Sequence, residues 1–159
     1  MRARTENSDL MFCIRLERAT YPLSAANAIV PLSGTIALAA ESGYVARSNL
    51  MQNIRSEFSV LARMAQEKIQ FDESLAESKR LTLLNLAASA PTIFEDNELP
   101  INSEALPTIW ENWEDFVSKS EDFEFALEGI ETSTLIDLRS SLGNVGATCG
   151  SCHQKYRMK

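Results

Sequence analysis

The chain closes on "GATCGSCHQKYRMK", residues 146–159, in which Cys149, Cys152 and His153 spell C-x-x-C-H. Reading outward toward the N-terminus, Leu135, Leu138, Leu142, Val145, Cys149, Cys152 and Tyr156 step by three and four in alternation. That is one face of a helix, and both thiols belong to it. His153 follows Cys149 by four residues, so it lies near the same face. Gly143, Gly146 and Gly150 form a second stripe. Each costs about 1 kcal/mol against alanine inside a helix, which predicts close approach by a neighbouring helix or a flat ring.

Three chemistries use such a motif. Side chains three apart on a helix have β-carbons roughly 5–6 Å apart. Two such thiols can form thioethers to the two vinyl groups on one edge of a haem, and the next residue, a histidine, can reach the iron. A structural zinc site needs four ligands, commonly from two separated pairs, but this chain has no second pair and His153 is its only histidine. A redox dithiol usually opens a helix after a strand, whereas this motif sits deep within a helical stripe. Haem attachment fits best.

Three more helices are legible upstream. From Tyr44 to about Ile69, the residues Val45, Met51, Ile54, Phe58, Leu61 and Ala65 mark an apolar face. No proline or glycine lies between Tyr44 and Ala90, so the break is signalled by Asp72, a good N-cap. A second helix then runs to about Ala88 with Leu75, Leu81, Leu84 and Ala88 inward. Residues 90–107 form a connector punctuated by Pro91, Pro100 and Pro107, with Phe94 and Ile101 expected to tack it to the bundle. A connection this long crosses over other elements. The third helix begins at Pro107 and carries Ile109, Trp110, Trp113, Phe116, Val117, Phe123 and Leu127, with Glu111, Glu114, Asp115 and Glu121 as its solvated face. Gly129 ends it, and Thr132 or Ser133 caps the fourth. The fold class is therefore all-α, an antiparallel four-helix bundle with haem on its C-terminal helix, and such bundles hold cofactors between facing helices.

The 159 residues suffice for one domain. A net charge of −7 repels phosphate backbones and argues against nucleic acid as a partner. Residues 1–39 read as a secretory leader: Arg2, Arg4, Arg15 and Arg18 precede the uncharged run "SAANAIVPLSGTIALAA" (24–40), and Ala37 and Ala39 make a cleavage signature. Residues 40–159 are then the mature domain, with no membrane association after cleavage. Removing three acids and four bases takes the charge from −7 to −8. Cys13 is lost with the leader, and the expected location is the periplasm.

Together "LGNVGATCGSCHQKYR" (142–157), "PTIWENWEDF" (107–116), Phe94, Arg47 and Met51 resemble the cytochromes c′, the class II c-type cytochromes, over residues 43–159. The resemblance implies one haem c bound through Cys149 and Cys152, with His153 as proximal iron ligand. Arg157 corresponds to a proximal-side arginine and Arg47 to an arginine near the haem propionates. Met51 corresponds to the residue over the distal face. The implied function is a five-coordinate, high-spin haem protein that binds nitric oxide and carbon monoxide and takes part in electron transfer. The alternative is a low-spin electron carrier in which Met51 is the sixth ligand. A peroxidase would need a distal base, and the one histidine is committed, so no enzymatic activity is expected. The periplasmic redox partner is unspecified. A homodimer through the first two helices is a candidate assembly, with Leu50, Val60 and Met64 free to form it.

Overall fold

The computed structural model describes residues 42–158; the expected leader and its cleavage site lie outside them. Six helices follow in order: α1 (Gly43–Ala65), α2 (Glu73–Ala88), α3 (Ala90–Phe94), α4 (Thr108–Glu111), α5 (Trp113–Glu128) and α6 (Leu135–Tyr156). The four long ones form the bundle. Around its square, α1 packs on α2, α2 on α5, α5 on α6 and α6 back on α1. Short turns join α1 to α2 and α5 to α6, which makes those pairs antiparallel. The long crossover from α2 to α5 carries α3 and α4. No helix among the described residues is long and apolar enough to cross a membrane.

The caps explain where the helices begin and end. Ser42 caps α1 and Asp72 caps α2, the latter accepting from the Leu75 amide at 2.8 Å. Thr134, one residue beyond the expected Thr132 or Ser133, caps α6 through the Asp137 amide. The end of α1 uses no glycine. Glu67 takes a left-handed φ of 57°, while Lys68 N–H reaches Arg63 O and Glu67 N–H reaches Met64 O, the bonding pattern of a Schellman motif. Arg139 from α6 steadies this costly turn, donating to Ala65 O and to the Glu67 carboxylate at 2.7 Å each.

The core corrects several expectations. The inner face of α1 is Gly43, Arg47, Leu50, Ile54, Leu61 and Met64. Leu50 and Met64 are thus core residues, not a free dimer face, while Val45 is exposed. On α2 the buried residues are Ala76, Leu83 and Ala87, whereas Leu75, Leu81 and Ala88 face outward. The helix is rotated relative to the expected phase, so that Leu83 lies inward between two alanines. Ile101 is fully exposed rather than tacked down, but Phe94 is buried as expected. The third helix is broken at Asn112, whose side chain donates to Thr108 O at 3.1 Å. On α6 the stripe is as read: Leu138, Leu142, Val145 and Tyr156 are buried, with Cys149 and Cys152 packed beside them.

Candidate haem site

A cavity of about 750 Å³ opens among α1, α5, α6 and the crossover. All six residues singled out in the sequence line it: Arg47 and Met51 from α1, and Cys149, Cys152, His153 and Arg157 from α6 and its end. Apolar walls come from Ile54, Phe58, Phe94, Ile109, Phe116 and Phe123. The aromatic wall is tightly built. Phe116 lies 5.0 Å from Phe94, 5.4 Å from Trp113 and 5.5 Å edge-on from Tyr156, between ring centroids. Trp110 fixes this wall by donating its indole N–H to Phe94 O at 2.8 Å.

The helix α6 presents two thiols and an imidazole to the cavity. Both cysteines are free and half-buried. Burial pushes both thiols up, with Lys119 pulling the Cys152 thiol partly back, so they remain protonated until they react. Burial, and then the charge of Arg157, lowers the His153 imidazole, with Glu104 opposing. The neutral form, which ligates metals, therefore prevails at pH 7. Gly146 also lines the cavity, and a Cβ there would meet no atom within 4 Å among the described residues. The same holds at Gly143 and Gly150. Among the described residues no helix approaches the glycine stripe, so of the two expected neighbours the helix is absent; beside Gly146 the open space belongs to the cavity. Two thiols and an imidazole on one helix face, set in a largely apolar cavity, fit a covalent haem.

Arg157 pairs with Glu104 of the crossover at 2.6 Å. Beside it, Leu106 N–H donates to Tyr156 O at 3.0 Å and Met158 N–H to Glu104 O at 2.7 Å, closing a short antiparallel bridge between Ala105 and Arg157. The chain just after His153 is thereby pinned to the crossover. Tyr156 donates its hydroxyl to the Asp115 carboxylate, which also takes Lys155 at 2.9 Å. Lys119 and Glu104 are among the lining residues missed in the sequence. Lys119, which donates to Ser151 at 3.1 Å, shares a helix face with Phe116 and Phe123 and could have been found by extending that phase. Glu104 lies in an irregular segment and carried no such signal.

Comparison with known proteins agrees with this geometry. The family model for cytochrome c′ matches residues 44–157. Cytochrome c-554 of Cereibacter sphaeroides is 36% identical over 120 residues, covering 71% of this chain and 90% of that protein. Cytochrome c-556 of Agrobacterium fabrum (strain C58) is 29% identical, covering 71% and 79%. Among solved structures, cytochrome c′ from Rhodobacter Spheriodes superposes with a TM-score of 0.66 at 26% identity, covering 74% of this chain and 95% of that one. The chain belongs to the cytochrome c′ family and carries that family's single covalent c-type haem.

Proposed function

We propose that this is a periplasmic haem protein in which Cys149 and Cys152 hold the haem, His153 ligates the iron from the proximal side, and Met51 covers the distal side without bonding. The bound haem supplies an iron centre that exchanges electrons and takes small neutral gases. The carrying observation is the shared cavity: α6 brings two thiols and the chain's only histidine, while α1 brings the Met51 side chain to the same cavity. The residues divide the work. Cys149 and Cys152 set the ring against α6. The neutral imidazole of His153 offers its lone pair. Phe58, Phe116 and Phe123 exclude water, which favours uncharged ligands such as nitric oxide and carbon monoxide over anions. Arg157, held by Glu104, stands beside the proximal imidazole. The reading is gas binding and electron transfer.

A second reading is favoured by Met51 itself. Its thioether lines the cavity on a flexible unbranched side chain, and a sulfur ligand raises the iron's potential and closes the site to gases. The 36%-identical relative bears the name cytochrome c-554 rather than cytochrome c′, so the axial ligand must be read from this protein directly. Absorption spectra of the haem-loaded protein, ferric and ferrous, with and without nitric oxide, decide between the two. A high-spin ferrous spectrum that shifts with gas, and is little changed by Met51→Ala, supports the five-coordinate protein. A sharp low-spin spectrum that ignores gas and becomes high-spin in Met51→Ala overturns it in favour of the electron carrier.

A further inference from the structure

Arg47 is the one charged side chain in the inner face of α1, only 3% exposed. Its two terminal nitrogens donate to the backbone carbonyls of Asp96 and Glu98. Its guanidinium carbon lies 5.8 Å from the centroid of Phe94 and 5.4 Å from that of Trp110. A planar cation can satisfy two carbonyls and contact aromatic faces at once; an ammonium cannot. The crossover in turn seats closely on α1 here, since a Cβ at Gly43 would come within 2.3 Å of the Asp96 side chain.

These contacts leave the terminal nitrogens of Arg47 turned toward the crossover. We propose that Arg47 is a positioning residue: it fastens crossover residues 95–99 to α1 and so holds the crossover wall of the haem cavity in place. This rests on the haem reading above and gives Arg47 this role in place of a contact with the haem carboxylates. The far end of the same crossover is pinned at Glu104 and Leu106 to the chain following His153. Between the two pins, Leu99 and Ile101 stand exposed. Arg47 is therefore one of the fastenings of a span that walls the cavity with Asn102, Ser103, Glu104 and Ala105. Releasing it frees residues 95–101 and exposes the haem to water.

The test uses haem-loaded wild type, Arg47→Lys and Gly43→Ala, with haem content measured by mass. Amide hydrogen exchange is read across residues 95–106, and the reduction potential is followed against pH. The expected result is exchange at residues 96–99 faster by about tenfold or more in Arg47→Lys, because a charge-assisted bond pair is lost. Gly43→Ala, which keeps Arg47 but crowds Asp96, should do the same. In both variants the inflection of potential with pH should stay where it is in wild type. Exchange in Arg47→Lys within about twofold of wild type overturns the proposal. So does an inflection displaced in Arg47→Lys alone, since that is the mark of a haem-carboxylate partner. If Arg47→Lys fails to retain haem, the exchange in Gly43→Ala decides on the same criterion. Failure of the haem reading would appear separately, as wild-type protein without covalent haem.

Discussion

Glu77 ties α2 to the turn between α5 and α6, and acid should weaken that tie. Its carboxylate accepts Arg80 Nε at 2.8 Å, Arg80 Nη2 at 2.7 Å and the Thr132 hydroxyl at 2.9 Å. The Arg80 bonds, then Thr132, hold the carboxyl down from the ordinary 4.5 to about 2 against the opposing effect of burial. A carboxylate depressed in the folded state stabilises the fold above its unfolded pKa. That contribution is lost as pH falls from 4.5 through about 2. At about 1.4 kcal/mol per pKa unit the depression would correspond to roughly 3 kcal/mol. The side chain is 38% exposed, however, and solvent screens such pairs strongly, leaving about 1 kcal/mol.

Glu77→Gln should therefore cost about 1 kcal/mol at pH 7. The deficit should persist down to about pH 5 and vanish near pH 2, where wild type has lost the same contribution. Urea unfolding of the haem-loaded protein at pH 7, 4.5 and 3, followed by far-ultraviolet circular dichroism, measures the difference. A deficit that stays constant to pH 3, or a variant as stable as wild type at pH 7, would refute the assignment of this pair as the source of the depressed carboxyl.

Leu138→Ala removes a side chain with no solvent exposure three turns before Cys149. It should cost about 2–5 kcal/mol in urea unfolding while leaving the haem spectrum unchanged, because the attachment motif is not touched. Tyr156→Phe keeps the ring edge against Phe116 but deletes the bond that does most to hold the Asp115 carboxyl below its usual range. Asp115 should then titrate at higher pH, as followed by NMR of its carboxyl carbon. Cys149→Ala should leave the haem attached through Cys152 alone, seen as one remaining thioether by mass. The double variant Cys149→Ala/Cys152→Ala should release the haem on denaturation.

Most of the attachment helix could be read in advance because its chemistry is local. Two thioethers and an imidazole on one ring demand fixed spacing along one helix, and Cys149, Cys152 and His153 supply it within five residues. The stripe from Leu138 to Tyr156 needed only a period of 3.6. Elsewhere, rules that weight large apolar residues misjudged the phase. On α2, Leu75 and Leu81 were expected inside, but they are exposed, and Ala76, Leu83 and Ala87 sit inside at 0% exposure. Asp72 signalled the first break, but two local devices went unread because they use no glycine or proline. Glu67 takes the left-handed turn, steadied by Arg139 from 72 residues away, and Asn112 breaks the third helix through its own amide.

The same distinction separates how the haem is held from how its cavity is walled. The candidate ligands are neighbours in sequence, but Arg47 meets its carbonyl acceptors 49 and 51 residues downstream. No periodicity marks a backbone carbonyl as a partner, so an arginine on an inner helix face looks alike whether it faces a haem carboxylate or clamps a loop. Burial discriminates between them. A guanidinium withdrawn from water is tolerated only when its donors are satisfied, and here the crossover carbonyls and two aromatic faces meet that requirement. The residue that the family resemblance places beside the cofactor is thus one on which the crossover wall depends. Its substitution should alter the site through the wall even where every haem-bonding atom is intact.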